Sequence, residues 1–230
     1  GTAYWSISPA GSLPPEQSVI PVGFYDDAGY TGILAPLFRK LFPVPSDLKK
    51  LSSIVNFRHA TSLFLLAAEN LSLISIWNPS YLEILIQYIH ENRVLLLEDL
   101  ERKRCSIREA DSNDDRILKQ LEIRVTRKRI NFLKGVFELQ NPGLKQIWPR
   151  LYLISCWTEG PSRDAAARLT TYMKGISVQG KGLLATEGIF TIPLGELKGF
   201  VPAFRSHYFE FKSCGSEREI LGLHELEEGK

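Results

Sequence analysis

The sequence predicts an α/β fold in which a mixed sheet is flanked by helices on both faces. Three observations carry that expectation. Leu71–Trp77 and Leu151–Trp157 are short apolar runs of strand length, the first opening with polar–apolar alternation. Between them, Leu82, Leu85, Ile86 and Ile89 recur at three- and four-residue spacing, the mark of a helix with one buried face. After them, a second strand at Ile176–Gln179 follows a short helical stretch. Strand, helix and strand in that order form a βαβ unit with parallel strands and a right-handed crossover.

Taken in order, residues 1–50 are rich in proline and glycine. Tyr4–Ile7 reads as a strand, and Pro14, Pro15, Pro21, Pro36, Pro43 and Pro45 break anything longer than a turn or two. Extended loops are expected there. Residues 51–140 are mostly helical. Asn56–Asn70 carries a thick apolar face through Leu63, Leu66 and Ala67. After the Leu71 strand, Asn78-Pro79-Ser80 reads as a helix start with Asn78 or Ser80 as cap. Arg93–Arg104 forms another helix. Residues 111–139 read as one helix that starts at the acidic Asp111–Asp115 and contains Arg127-Lys128-Arg129. That basic triplet can grip a phosphate, but it reads first as a solvated face balanced by nearby carboxylates.

In residues 141–230, Thr158–Ser162 is the turn after the Leu151 strand. Arg163–Met173 is a short helix with Ala165, Ala166 and Leu169 inward. Phe190–Ile192 and His207–Phe211 supply further strands, the latter rich in aromatic residues. Trp77, Trp148 and Trp157 read as core or pocket-wall residues.

Composition narrows the function. A net charge of +2 with mixed signs implies no basic surface for nucleic acid. No apolar stretch is long enough to cross a bilayer, and no leader-like segment opens the chain. Cys105, Cys156 and Cys214 are odd in number and far apart, which reads as reduced thiols in a cytoplasmic protein. His59, His90, His207 and His224 share no metal-ligand spacing, and His90 reads as a surface residue. Glu83 and Glu91 on one helix read as solvent-facing.

The stretch that carries chemistry is Gly180-Lys181-Gly182-Leu183-Leu184-Ala185-Thr186-Glu187-Gly188. It follows the second strand of the βαβ unit, and ligands of parallel sheets bind outside the carboxyl ends of the strands. Gly175–Gly182 superficially resembles a phosphate-binding loop. It lacks the following helix and the Ser or Thr after the lysine that such a loop needs. Attack of a carboxylate on the α-phosphate of ATP calls for different parts: Mg²⁺ to share the phosphate charge, a carboxylate to hold the metal and a hydroxyl beside it. Thr186-Glu187 provides such a pair, and Gly188 lets the backbone approach closely.

Ile147–Leu151, Ser155–Gly160 and Val178–Gly188 together resemble the bacterial auxin-responsive acyl-acid amido synthetases. The resemblance extends to Ala3–Pro9, Ile76–Leu82, Leu97–Leu100, Ile192–Leu194 and Arg205–Phe211. It implies the central part of an adenylate-forming large domain that uses ATP and Mg²⁺. The reaction implied joins a small carboxylic acid to an amino acid. By the same resemblance, Thr158, Glu159 and Gly160 border the adenine and Ala185, Thr186, Glu187 and Gly188 form the nucleotide motif. Glu187 is then the metal carboxylate and Tyr208 lines the acyl-acid pocket; the other reading of Tyr208 is strand packing. The superfamily's phosphate-clamping loop is expected before residue 1 and its ribose-binding motif after Lys230. The chain is therefore expected to be an internal fragment. Two other readings stay open: a ligase of the same superfamily that forms a thioester with coenzyme A, and a truncated copy without catalysis.

Overall fold

A computed structural model describes residues 1–6, 41–185, 187–195, 199–212 and 220–227. The chain divides into two compact units, 1–179 and 180–230. The prolines expected to keep residues 7–40 extended lie outside the described residues, as do Ile7 and Cys214.

The first unit is built on the strands β1 (Thr2–Trp5), β2 (Leu71–Ser75), β3 (Leu153–Cys156) and β4 (Ser177–Gly180), hydrogen-bonded in that order. β1 and β2 are parallel, as are β2 and β3, with Tyr4 opposite Ile74 and Ile74 opposite Ile154. This central row is fully buried, as expected of a parallel sheet covered by helices.

The helices start where the sequence supplies caps. α1 (Ile54–Ala67) begins at Ser53, whose hydroxyl accepts from the Val55 and Asn56 amides. From Phe57 onward α1 is buried almost all round, not on one face alone, because it runs through the middle of the helical layer against the next two helices. α2 (Pro79–Glu91) begins at Asn78, whose side chain accepts the Ser80 amide 2.9 Å away, and Pro79 takes the first helical position. Leu82, Leu85, Ile86 and Ile89 form its buried face. α3 (Arg93–Arg102) ends at Lys103 in a left-handed conformation, φ +51°.

Where one helix was expected over 111–139, the structure has two, α4 (Ser112–Gln120) and α5 (Arg127–Phe137). The break has a local cause. Ile123, Val125 and Thr126 are β-branched and weak helix formers. The Thr126 hydroxyl instead accepts the Arg129 amide and starts a new helix. Asp111 caps α4 in the same way, accepting the Asp114 amide. Asp114 is itself buried. It binds the Ser52 and Ser53 amides and the Asn56 side chain, fastening α4 to the start of α1.

A short helix, α6 (Leu144–Ile147), leads into β3. α7 (Arg163–Leu169) joins β3 to β4, buries Ala165 and Leu169 and packs on α2, where Arg168 pairs with Glu83. Glu83 is thus half of an inter-helix ion pair, not a free solvent-facing carboxylate.

The second unit holds three antiparallel two-stranded ladders: β5 (Leu184–Ala185) with β6 (Gly188–Ile189), β7 (Thr191–Pro193) with β8 (Phe200–Pro202), and β9 (Glu210–Lys212) with β10 (Ile220–Gly222). Among the described residues, the aromatic strand expected over 207–211 is found at Glu210–Lys212, paired with β10.

Candidate functional site

β1, β2 and β3 end side by side, and their hydrogen bonding continues past the strand ends. The Ser6 amide donates to Ser75 at 2.8 Å, Ile76 to Ser155 at 2.9 Å and Trp157 to Trp77 at 2.9 Å. This carboxyl edge presents aromatic rings. Trp77 lies just beyond β2 and its ring meets that of Trp157, just beyond β3, with centroids 5.4 Å apart. Trp77 is 43% exposed, so it belongs to a surface and not to the core. Of the three tryptophans expected as core or pocket-wall residues, Trp148 alone is fully buried.

The Thr158–Gly160 turn follows directly. Thr158 is half-buried, while Glu159 and Gly160 are exposed. Gly160 has φ +56°, a left-handed conformation that glycine adopts without strain. It opens the 3₁₀ turn Gly160–Ser162, which runs into α7. Glu159 is held by Arg163 at 2.9 Å, an exposed pair four residues apart. Thr158, Glu159 and Gly160 thus form one strand–glycine turn–helix junction, as expected.

The Gly180–Gly188 stretch belongs to the second unit. Gly182 has φ +74°, and a side chain there would collide with the backbone of Thr191. The Leu183 amide donates to the Thr191 hydroxyl at 2.7 Å. Lys181 is followed directly by β5 and not by a helix, so the stretch is not a phosphate-binding loop of the strand–loop–helix kind. Instead, Ala185 pairs with Gly188 in an antiparallel ladder, and Glu187 directly precedes that second strand in a turn. Glu187 is exposed on that turn; Thr186 lies outside the described residues. Gly188 has a specific local role, since a Cβ there would overlap the His207 imidazole. His207 in turn sits near the rings of Phe190 and Phe209.

Tyr208 precedes β9 and is 83% exposed, which removes strand packing as its role. Among the described residues no group of three or more His, Cys, Asp or Glu side chains is placed to hold a metal, and no helix is long and apolar enough to cross a membrane.

Two polar groupings were not foreseen from the sequence. His59 is fully buried, with Nε2 2.8 Å from Asp99 and Nδ1 3.0 Å from the Tyr88 hydroxyl. Asp99 also accepts from the Ser106 amide and hydroxyl. The one available signal was the placement of His59 within the apolar stretch of α1. His90, read as a surface residue, is only partly exposed; burial first, and then Arg93, lower its pKa. The second grouping surrounds Arg129, which belongs to the basic triplet yet is buried.

Residues 14–178 match the profile of the GH3 family N-terminal domain, so the match ends within β4, before the hairpin that bears Glu187. No curated protein matches the chain. Among solved structures, one described as GH3.15 acyl acid amido synthetase aligns with a TM-score of 0.56 at 14% identity, over 69% of this chain and 30% of that one. Another, AtGH3.15 acyl acid amido synthetase in complex with 2,4-DB, aligns with a TM-score of 0.60 at 13% identity, over 74% and 32%. The likeness is one of fold, and the chain spans less than a third of the length of either structure.

Proposed function

The chain belongs to the GH3 family, and from that premise we propose that it carries the central part of the adenylating domain of an ATP-dependent acyl-acid amido synthetase. The observation that carries this reading is the family match over residues 14–178, followed at once by a glycine turn and a hairpin with an exposed carboxylate at its tip.

In the proposed reaction a carboxylate oxygen of a small acid attacks the α-phosphorus of ATP and pyrophosphate leaves. The amine of an amino acid then attacks the activated carbonyl. The C–N bond forms, AMP leaves with the electron pair of the broken C–O bond, and the amine proton passes to solvent. Bound Mg²⁺ would share the phosphate charge. A lone accessible carboxylate suits it, because Mg²⁺ keeps most of its water and takes one or two protein carboxylates beside substrate phosphates. Glu187 fits that role, and Thr186 would offer its hydroxyl to the α-phosphate. Gly182 and Gly188 keep side chains off the backbone around the hairpin. Thr158, Glu159 and Gly160 would border the adenine. The exposed Tyr208 ring is available to the acyl acid.

The test is carboxylate-dependent exchange of pyrophosphate into ATP by the protein that carries this sequence, followed by AMP release with added amino acids. Exchange accelerated by an amine supports the proposal. Acceleration by coenzyme A and not by amines would move the protein to the thioester-forming ligases. No exchange with any of a broad panel of acids would identify a copy without catalysis.

A further inference from the structure

At the opposite edge of the parallel sheet lies a cleft of about 170 Å³, whose lining includes Glu69, Asn70, Lys128, Arg129, Pro149 and Arg150 beside the Phe132 ring. Glu69 and Asn70 directly precede β2, and Pro149 and Arg150 lie shortly before β3. Since β2 and β3 are parallel, the cleft sits at their amino ends, away from Trp77 and Thr158 at the carboxyl ends.

Its centre is Arg129, 2% exposed. Nε donates to the Leu66 carbonyl at 2.9 Å and Nη1 to the Ile147 carbonyl at 2.8 Å. The guanidinium lies 5.3 Å from the centre of the Phe132 ring. Nη2 is buried and has no acceptor among the described residues. Burial brings the guanidinium down to about 10, with Glu69 opposing the shift, so it stays charged at neutral pH. A buried charged donor without a partner is costly to a fold. Lys128 and Arg150 are exposed beside it, and neither forms an ion pair among the described residues. Three cations face one carboxylate, Glu69. The N-terminus of the 11-residue helix α5 adds its positive end at the same place.

We propose that this cleft binds a small oxyanion, a phosphate or carboxylate group, which accepts from Arg129 Nη2 and is held by Lys128 and Arg150. The volume is below the roughly 300 Å³ at which pockets for drug-sized ligands begin, so the site takes a small ion and not a nucleotide. It lies at the other end of the strands from Thr158, and its test reads binding, not catalysis.

Thermal unfolding of the full chain is followed against potassium phosphate, and separately against malonate, with potassium chloride holding ionic strength constant. We expect a saturable rise of about 3 °C in Tm with at least one of the two anions; which one responds distinguishes phosphate from carboxylate. The double substitution Lys128→Ala/Arg150→Ala, at two exposed positions, should leave the Tm in chloride unchanged and abolish the rise. Arg129→Lys, which keeps the charge but loses the fork, should weaken the response at least about tenfold in half-saturating concentration. A rise that never saturates, one that persists in the double variant, or none with either anion overturns the proposal.

Discussion

Among the described residues of 1–179, the buried apolar side chains other than Ala165 join into one cluster that runs from Tyr4 to Ile176. In residues 180–230 none of the described apolar side chains is buried, and Leu183, Ile189, Phe204 and Ile220 are exposed. Two-stranded ladders of two or three residues cannot bury enough surface to hold themselves together. The larger unit therefore supplies the stability, while the smaller one carries the hairpin with the candidate carboxylate. Family and fold show in the first, where burial restricts the choice of residue; the proposed chemistry sits in the second, where little does.

The sharpest way to break that contrast is to remove one large side chain from each unit. Trp148 is 1% exposed and its indole N–H donates to the Leu65 carbonyl at 2.9 Å. Trp148→Ala leaves a large cavity and takes one of two donors from the Leu65 carbonyl, which keeps the Ala68 amide, and should cost about 4 kcal/mol of unfolding free energy. Tyr208→Ala, at an exposed ring of similar size, should cost less than about 0.5 kcal/mol. Urea unfolding of both variants is the measurement, and equal losses would end the division into a stability-bearing and a stability-free unit.

The converse substitution tests whether chemistry resides in the smaller unit. Glu187→Gln removes the charge from an exposed hairpin turn and should leave the urea midpoint unchanged. If Glu187 holds the metal, acid-dependent pyrophosphate exchange should fall about 100-fold, equivalent to roughly 2.7 kcal/mol. Activity within about twofold of the parent would detach Glu187 from catalysis while leaving the family assignment untouched.

What could be read from the sequence follows the same division. β2, β3, the helix start at Asn78-Pro79-Ser80 and the buried face of α2 were legible because each depends on residues within a few positions of one another. The glycine turns at 160 and 182 were legible because glycine permits a backbone that other residues resist. Arg129 was misread as solvated because its partners, Leu66 and Ile147, lie 63 and 18 residues away, and nothing local announces two carbonyls waiting for a guanidinium. The gap between α4 and α5 was hidden by apolar positions that continue the helical spacing across it: Leu121, Ile123 and Val125 pack on the same core from an extended segment. Of the two readings open for Trp77, core or pocket wall, core fails because the residue lies past the end of β2, where the sheet no longer covers it. The aromatic pattern at 207–211 resembled a strand, but strand length is set by a partner, and among the described residues β10 offers three.

The smallest effect expected concerns the acid stability of the larger unit, and it rests on a charge that the sequence concealed. Burial by itself raises the Asp99 carboxyl. Hydrogen bonds from His59 and from the Ser106 hydroxyl and amide outweigh it and hold the carboxyl below its ordinary value. A carboxyl depressed in the folded state stabilises the fold above its unfolded pKa, about 3.9. Between that value and the lower folded one, the unfolded chain binds a proton that the folded chain does not. Stability must then decline as pH falls through that window, by at most about 1.4 kcal/mol per pH unit from this one group. Asp99→Asn cannot take up the proton. Its unfolding free energy should be lower than the parent's at pH 6, and the gap should narrow as pH drops below 3.9. A gap that stays constant down to pH 2.5 would mean that Asp99 carries no charge linked to folding, and that the His59–Asp99–Ser106 grouping holds the larger unit by shape and neutral hydrogen bonds alone.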